Sequence, residues 1–294
     1  MTHVLLFGGS GFIGGQVCRE LREQPQVSAL TTPGRTQCDL VNDDLDQVRS
    51  LLRQVRPDVV VNCTGRLTGA GYDLVRANAG VTAKLLDAVA AELPGARFVR
   101  LGSAAEYGPV RVGTAVGEDD PARPVSEYGA THLAGTHLVQ IASAAGRVDG
   151  VVLRVFNPVG PGLPEDNLLG RVITLIRAAE NAGVGHISTG SLTAHRDFVD
   201  VRDAATAVVA AALAPDLGAR VFNVASGRTV TSRHAVELMT AVAGFTGEIR
   251  EEAASPARSA AVDWMLADIS RAGGLLGWKP RYELADSISA AWHG

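Results

Sequence analysis

Cysteine is scarce in this chain: Cys18, Cys38 and Cys63 are the only three among 294 residues. Their spacing matches no metal-ligand pattern, so free thiols of a cytoplasmic protein are the plain reading. Aromatic residues are 5% and no basic run interleaves with them, which argues against nucleic acid as a partner. No apolar stretch approaches the roughly 18 residues that span a bilayer, so no membrane is expected. Met1-Thr2-His3 leads straight into a strand-like segment; without a charged n-region and an apolar h-region, a secretory signal is not expected. Neither sign of charge dominates, with 27 Lys and Arg against 31 Asp and Glu. What the chain does have is glycine, 33 residues, and hydrophobic residues at 46%. The length suits one large or two modest domains with a sizeable core. The glycines imply tight turns and close backbone approaches.

Short apolar runs rich in β-branched residues alternate with longer amphipathic stretches. Val4–Phe7, Val27–Leu30, Val59–Val61, Phe98–Leu101 and Val151–Phe156 read as strands. Phe12–Gln24, Leu45–Val55, Tyr72–Leu93 and Pro124–Ala145 read as helices between them. The strands are continuously apolar, as in a parallel sheet covered on both faces. This repetition predicts an α/β fold of the Rossmann type, a doubly wound parallel sheet. After Phe156 the regularity falls, and Asn157–Pro164 reads as a loop. Leu168–Asn181, Ala204–Leu213, Ser232–Gly244 and Leu284–Trp292 read as helices, with short strands expected after Asn181, and Arg220–Val224 reads as a strand able to rejoin the sheet.

Gly8, Gly11 and Gly14, spaced three and three, follow the first strand and open the first helix. In that context the first glycine makes the tight turn, the second admits a pyrophosphate, and the third lets helix and strand pack. A dinucleotide is the expected ligand. Residues 1–156 plus about 197–226 are therefore expected to form the dinucleotide-binding domain. About 157–196 and 227–294 would form a smaller interleaved C-terminal substrate lobe. After the second strand, Leu30-Thr31-Thr32-Pro33-Gly34-Arg35 offers no carboxylate for a ribose 2′-hydroxyl. Thr31, Thr32 and Arg35 suit a 2′-phosphate, which favours NADP while leaving NAD open. Arg35 reads equally well as a solvated loop charge.

Tyr128 and His132 stand four apart on a predicted helix and share a face. Ser103 ends a predicted strand, at the carboxyl edge where open α/β sheets bind ligands. With the glycine loop, these residues resemble the extended short-chain dehydrogenase/reductase family of nucleotide-sugar epimerases, dehydratases and ketoreductases. Matching stretches run through the chain: Asp39-Leu40, Pro57 to Gly65, Gly102 to Gly108, Ser126 to Gly129, Leu153 to Pro158, Arg196 to Asp203 and Leu276 to Pro280. The resemblance implies that Tyr128 exchanges a proton with a sugar oxygen, that Ser103 hydrogen-bonds the same oxygen, and that nicotinamide carries the hydride. It places Gly8, Gly11, Phe12, Ile13, Gly14, Thr31, Arg35, Asp39, Leu40, Thr64, Gly65 and Arg66 along the cofactor, with Tyr128 and His132. It places Asn157, Arg196 and Arg258 on the substrate side, where guanidinium groups suit a nucleotide diphosphate. It also makes the helices Tyr72–Leu93 and Pro124–Ala145 candidates for a homodimer contact.

One departure from the family pattern matters. Tyr-x-x-x-Lys is the family's motif, and His132 stands where the lysine belongs. Imidazole keeps a hydrogen bond to the ribose but is mostly neutral at pH 7, so the lysine's charge is missing. Positions 129 to 136 hold neither Lys nor Arg. Two alanines, Ala104 and Ala105, stand where family dehydratases carry an Asp-Glu pair, which argues against elimination. Reduction needs only a neutral tyrosine, whereas the oxidation half of an epimerase needs the phenolate. The stretch Gly102 to Gly108 resembles that of 4-keto-6-deoxysugar nucleotide reductases. The expected activity is therefore NAD(P)H-dependent reduction of a 4-keto sugar nucleotide. A nucleotide-sugar C4 epimerase is the alternative, and a catalytically impaired NAD(P)-binding regulatory protein is the second alternative.

Overall fold

A computed structural model of the protein describes residues 1–252 and 262–294. The first half alternates strand and helix: β1 (Thr2–Phe7), α1 (Phe12–Arg22), β2 (Val27–Thr31), α2 (Leu45–Val55) and β3 (Val59–Asn62). The helix expected over Tyr72–Leu93 is three pieces: α3 (Gly71–Leu74), a π-helical segment Val75–Gly80, and α4 (Val81–Glu92). Then come β4 (Arg97–Ser103), α5 (Glu127–Ala144) and β5 (Asp149–Val155). The helix α5 starts later than Pro124 because Ser126 caps it, its Oγ accepting the Gly129 N–H.

The second half supplies short strands β6 (Pro158–Val159), β7 (His186–Thr189), β8 (His195–Asp197) and β9 (Val199–Asp200), with α6 (Leu168–Ala182) among them. After these come α7 (Val201–Leu213), β10 (Val221–Val224), β11 (Thr229–Thr231), α8 (Ser232–Ala243), β12 (Glu248–Glu251), α9 (Ser270–Leu276) and α10 (Leu284–His293). Thr231 caps α8 through its hydroxyl.

The central sheet has six strands in the order β10-β5-β4-β3-β1-β2, and every pair is parallel. The strand order reverses beside β1, so the crevice at the carboxyl ends of β1 and β3 is the topological switch point. Both faces are covered, as continuously apolar strands require. Val4 and Leu6 of β1 pack in one core with Val17, Leu21 and Val208, from α1 and α7. Leu5 and Phe7 face the opposite core, with Leu52, Leu85 and Val139 from α2, α4 and α5. A third core gathers Leu169, Ile173 and Ile176 of α6 with Val236 and Met239 of α8 and Ile288 of α10. No helix among the described residues is long and apolar enough to cross a membrane.

Candidate active site

The turn after β1 is closed by the Gly11 N–H donating to the Gly8 carbonyl at 2.9 Å. Gly8 has φ +83°, and a Cβ there would lie 2.9 Å from the Cys63 carbonyl carbon. At Gly14 a Cβ would fall 2.0 Å from the Gly8 carbonyl oxygen. Side chains are thus excluded by backbone that has nowhere to go. Gly11 caps α1 with no side-chain hydrogen bond, and the first turn carries no acid. The first amides of α1, beside half-buried Phe12 and Ile13, remain open to an anion. The cradle fits the pyrophosphate of a dinucleotide.

The residues after β2 and β3 surround that cradle. Thr31 Oγ1 lies 2.9 Å from His3 Nε2, while Arg35 is exposed. Asp39 closes a turn, accepting the Asn42 side-chain amide at 2.8 Å and the Val41 N–H at 3.0 Å. The Asn42 amide, those backbone N–H groups and the charge of Arg35 hold its carboxyl below the usual range. Leu40 is buried in the core beside it. Thr64 donates from N–H and hydroxyl to Asn62 Oδ1, at 3.0 and 2.6 Å. The Arg66 N–H donates to Asn78 Oδ1 at 2.8 Å, and its guanidinium turns away to the Thr68 carbonyl and Asp73.

Ser103 ends β4 at the sheet's carboxyl edge. Its N–H donates to Glu106 Oε1 at 3.0 Å and its Oγ accepts the Ala105 N–H at 3.2 Å. That pattern leaves the hydroxyl hydrogen to the cavity. On α5, the rings of Tyr128 and His132 lie 4.5 Å apart between centroids, tilted by 53°. His132 is buried. Its Nε2 side faces Gly65, where an added Cβ would lie 4.0 Å away. Its Nδ1 lies 3.5 Å from Arg100 Nη2. Burial, and then the charge of Arg100, hold the imidazole pKa well below its ordinary value. His132 is therefore neutral.

Residues 129 to 136 bring no Lys or Arg to this helix face, but the sheet brings a cation. Arg100 lies inside β4 and is 2% exposed. Its Nε donates to Thr82 Oγ1 at 2.9 Å and its Nη1 to Thr136 Oγ1 at 3.3 Å. The guanidinium occupies space opened by a glycine: a Cβ at Gly135 would lie 2.4 Å from Arg100 Nη2. Glu106, fully buried, receives Arg154 Nε and the Thr136 hydroxyl, each at 2.8 Å. The signal in the sequence is a lone arginine within the apolar run Phe98-Val99-Arg100-Leu101.

Ile13, Ser103, Tyr128, Asn157 and Arg196 line one cavity of about 350 Å³. Sequence reasoning missed Arg171, in the first turn of α6, which lines it too. Ala104 and Ala105 also face it. Asn157 has φ +33°, strained for a residue with a side chain, and its Nδ2 donates to the Asp197 carbonyl at 2.7 Å. Asp197 is itself pinned, accepting from the N–H groups of Ser226, Gly227 and Ala267. The Arg196 guanidinium donates to the carbonyls of His195 and Val262. The other cofactor candidates sit beyond the cavity lining, after β1, β2 and β3, and His132 on α5. Arg258 lies outside the described residues.

Comparison with known proteins follows the same lines. The NAD dependent epimerase/dehydratase family profile matches residues 4–225. The chain is 40% identical over 302 residues to dTDP-6-deoxy-L-talose 4-dehydrogenase (NAD(P)(+)) of Kitasatospora kifunensis, spanning 99% of this chain and 95% of that protein. Among solved structures, RMD from Pseudomonas aeruginosa complexed with NADPH superposes with TM-score 0.85 at 23% identity, covering 100% of this chain and 97% of that one. MoeE5 in complex with UDP-glucuronic acid and NAD gives 0.81 at 26% identity, covering 99% and 98%. A glycine cradle at the switch point, and a profile running from β1 to the end of the central sheet, have one common explanation: the chain belongs to the NAD dependent epimerase/dehydratase family, the extended short-chain dehydrogenases/reductases.

Proposed function

We propose that this protein is an NAD(P)H-dependent ketoreductase acting on a 4-keto (deoxy)sugar carried by a nucleoside diphosphate, with Tyr128 as proton donor. One observation carries the reading: Ser103 and Tyr128 open into a single cavity at the sheet's carboxyl edge, and the two positions after Ser103 are alanines. The Ser103 hydroxyl is set to hydrogen-bond a carbonyl oxygen, and the Tyr128 phenol to protonate it. Ala104 and Ala105 supply neither acid nor base, so a dehydration would lack its proton carriers. Gly8, Gly11, Gly14 and the first amides of α1 would hold the dinucleotide, with His132 Nε2–H toward its nicotinamide ribose. A bound nicotinamide dinucleotide supplies the hydride. Arg35 and the missing carboxylate after β2 favour NADP. Arg196 and Arg171 in the cavity lining suit a diphosphate. The relative from Kitasatospora is by name a 4-dehydrogenase of a dTDP-linked 6-deoxysugar, which supports redox chemistry at a sugar C4.

A nucleotide-sugar C4 epimerase is the second reading. The buried Arg100 behind His132 favours it, because a cation there eases the phenolate that oxidation requires. A homodimer through the outer faces of the two helices is also inferred, since Tyr72, Val75 and Ile141 are exposed on them. The deciding experiment is single turnover of NADPH and NADH with dTDP- and GDP-linked 4-keto-6-deoxysugars. Loss of the reduced-nicotinamide absorbance with one alcohol formed supports the reductase. Inversion of a 4-hydroxyl substrate on bound NAD without net absorbance change supports the epimerase. Cofactor binding without sugar binding or turnover would overturn both in favour of a regulatory protein.

A further inference from the structure

We propose that Arg100, reaching α5 from the neighbouring strand β4, takes over the task of the missing motif lysine: it supplies the fixed positive charge behind Tyr128 and locks His132 in one tautomer. The inference rests on the reading of Tyr128 as the proton donor. It starts from placement. The Tyr128 ring packs on the His132 ring at 4.5 Å between centroids, and Nδ1 of that imidazole meets Arg100 Nη2 at 3.5 Å. His132 thus touches both a phenol ring that lines the cavity and a guanidinium buried in the core.

A guanidinium has donors only, so its contact with Nδ1 is a hydrogen bond when that nitrogen is unprotonated. The imidazole proton then sits on Nε2, the side facing Gly65 and the cofactor loop. A neutral histidine so oriented keeps the lysine's hydrogen bond to a ribose, while its charge comes from one layer deeper. The two tasks that one lysine performs are divided between two residues.

The surrounding charges leave a surplus. Glu106, on the turn after β4, faces this region and is paired with Arg154 of β5 at 2.8 Å. Arg100 shares the hydroxyl of Thr136 with Glu106, whose charge also acts on the guanidinium. Two guanidinium groups against one carboxylate make this buried cluster net positive by one. Other charged groups on the elements around α5 are engaged elsewhere. Arg76 and Lys84 bond to carbonyls at 40–43. Asp73 pairs with Arg66, and Asp87 with Arg147. Glu127 lies against Gly71. His132 and Arg100 are both buried, so the attraction is weakly screened. Gly135 makes room for the guanidinium, since a Cβ there would meet it.

The test reads the Tyr128 phenol directly. Ultraviolet titration of the holoprotein, taken as the difference from Tyr128→Phe, isolates its midpoint from those of Tyr72, Tyr107 and Tyr282. Arg100→Met should raise that midpoint by about one pH unit or more. Arg100→Lys should hold it near the natural value. The double variant Arg100→Met with His132→Lys should bring it back down. Oxidation of a 4-hydroxyl sugar nucleotide near pH 8 should fall about tenfold in kcat for Arg100→Met, with KM for the cofactor little changed. Should that variant not fold, Arg100→Gln keeps donors for the two threonines and carries the same readout. An unmoved midpoint in a folded charge-removing variant, or an equal shift in Arg100→Lys, would overturn the proposal. If Tyr128→Phe is inactive yet the midpoint does not move, Arg100 alone is misassigned. If Tyr128→Phe keeps its turnover, the proton-donor reading itself falls.

Discussion

Tyr128 and His132 sit one helical turn apart, and their environments divide their duties. The tyrosine borders the cavity, whereas the histidine is buried and held neutral. Tyr128→Phe should lose at least about 100-fold in turnover while dinucleotide affinity changes little, as measured by single-turnover rates and calorimetric titration. For His132 the sign of the pH effect follows from its lowered pKa. The unfolded chain, with an ordinary imidazole near 6.5, binds the proton better than the folded one. The histidine therefore costs no stability above about pH 6.5, and stability is lost as pH falls below it. Urea unfolding from pH 7.5 to 5 should decline more steeply for the natural protein than for His132→Gln. On the cofactor side, Arg35→Ala should weaken NADPH by about tenfold and leave NADH unchanged. Titration of both cofactors checks this, and tighter NADH binding by the natural protein would remove the NADP preference.

At the scale of elements, the strand–turn–helix unit β1–α1 depends on a contact with no slack. The Cβ of an alanine at Gly14 would meet the Gly8 carbonyl oxygen, a backbone atom, at 2.0 Å. Gly14→Ala should cost about 1–3 kcal/mol of stability and at least tenfold in dinucleotide affinity, read by thermal unfolding and cofactor titration. This unit was legible in the sequence, because glycines at spacing three between an apolar run and an amphipathic one have few other uses. The π-helical segment Val75–Gly80 was not, since its apolar spacing fits a regular helix equally well. Short strands were expected after Asn181, but the bounds and pairing of β6 to β9 were illegible for another reason. They are two to four residues long, and their pairing partners lie far off in the chain.

For the whole molecule, exposed Tyr72, Val75 and Ile141 on the packed helices around α5 predict self-association. Ile141→Glu should lower the sedimenting mass toward the monomer without changing the thermal midpoint by more than a few degrees; a natural protein that sediments as a monomer at micromolar concentration would end the idea. The sequence by itself determined the parallel sheet, the glycine cradle and the order Ser103, Tyr128, because periodicity and turn chemistry are local and each strand announces its two-sided burial. It also marked position 132 as anomalous, through the motif that the histidine interrupts. Only the tertiary structure decided what answers that anomaly. Arg100 lies 32 residues before His132, on a strand whose apolar neighbours hide it, and is brought behind the imidazole by the packing of α5 on β4. Spacing along one helix reports which residues share a face. It cannot report the charge delivered to that face from across a core, because that depends on a gap left by Gly135 and on hydroxyls of Thr136 and, from α4, Thr82.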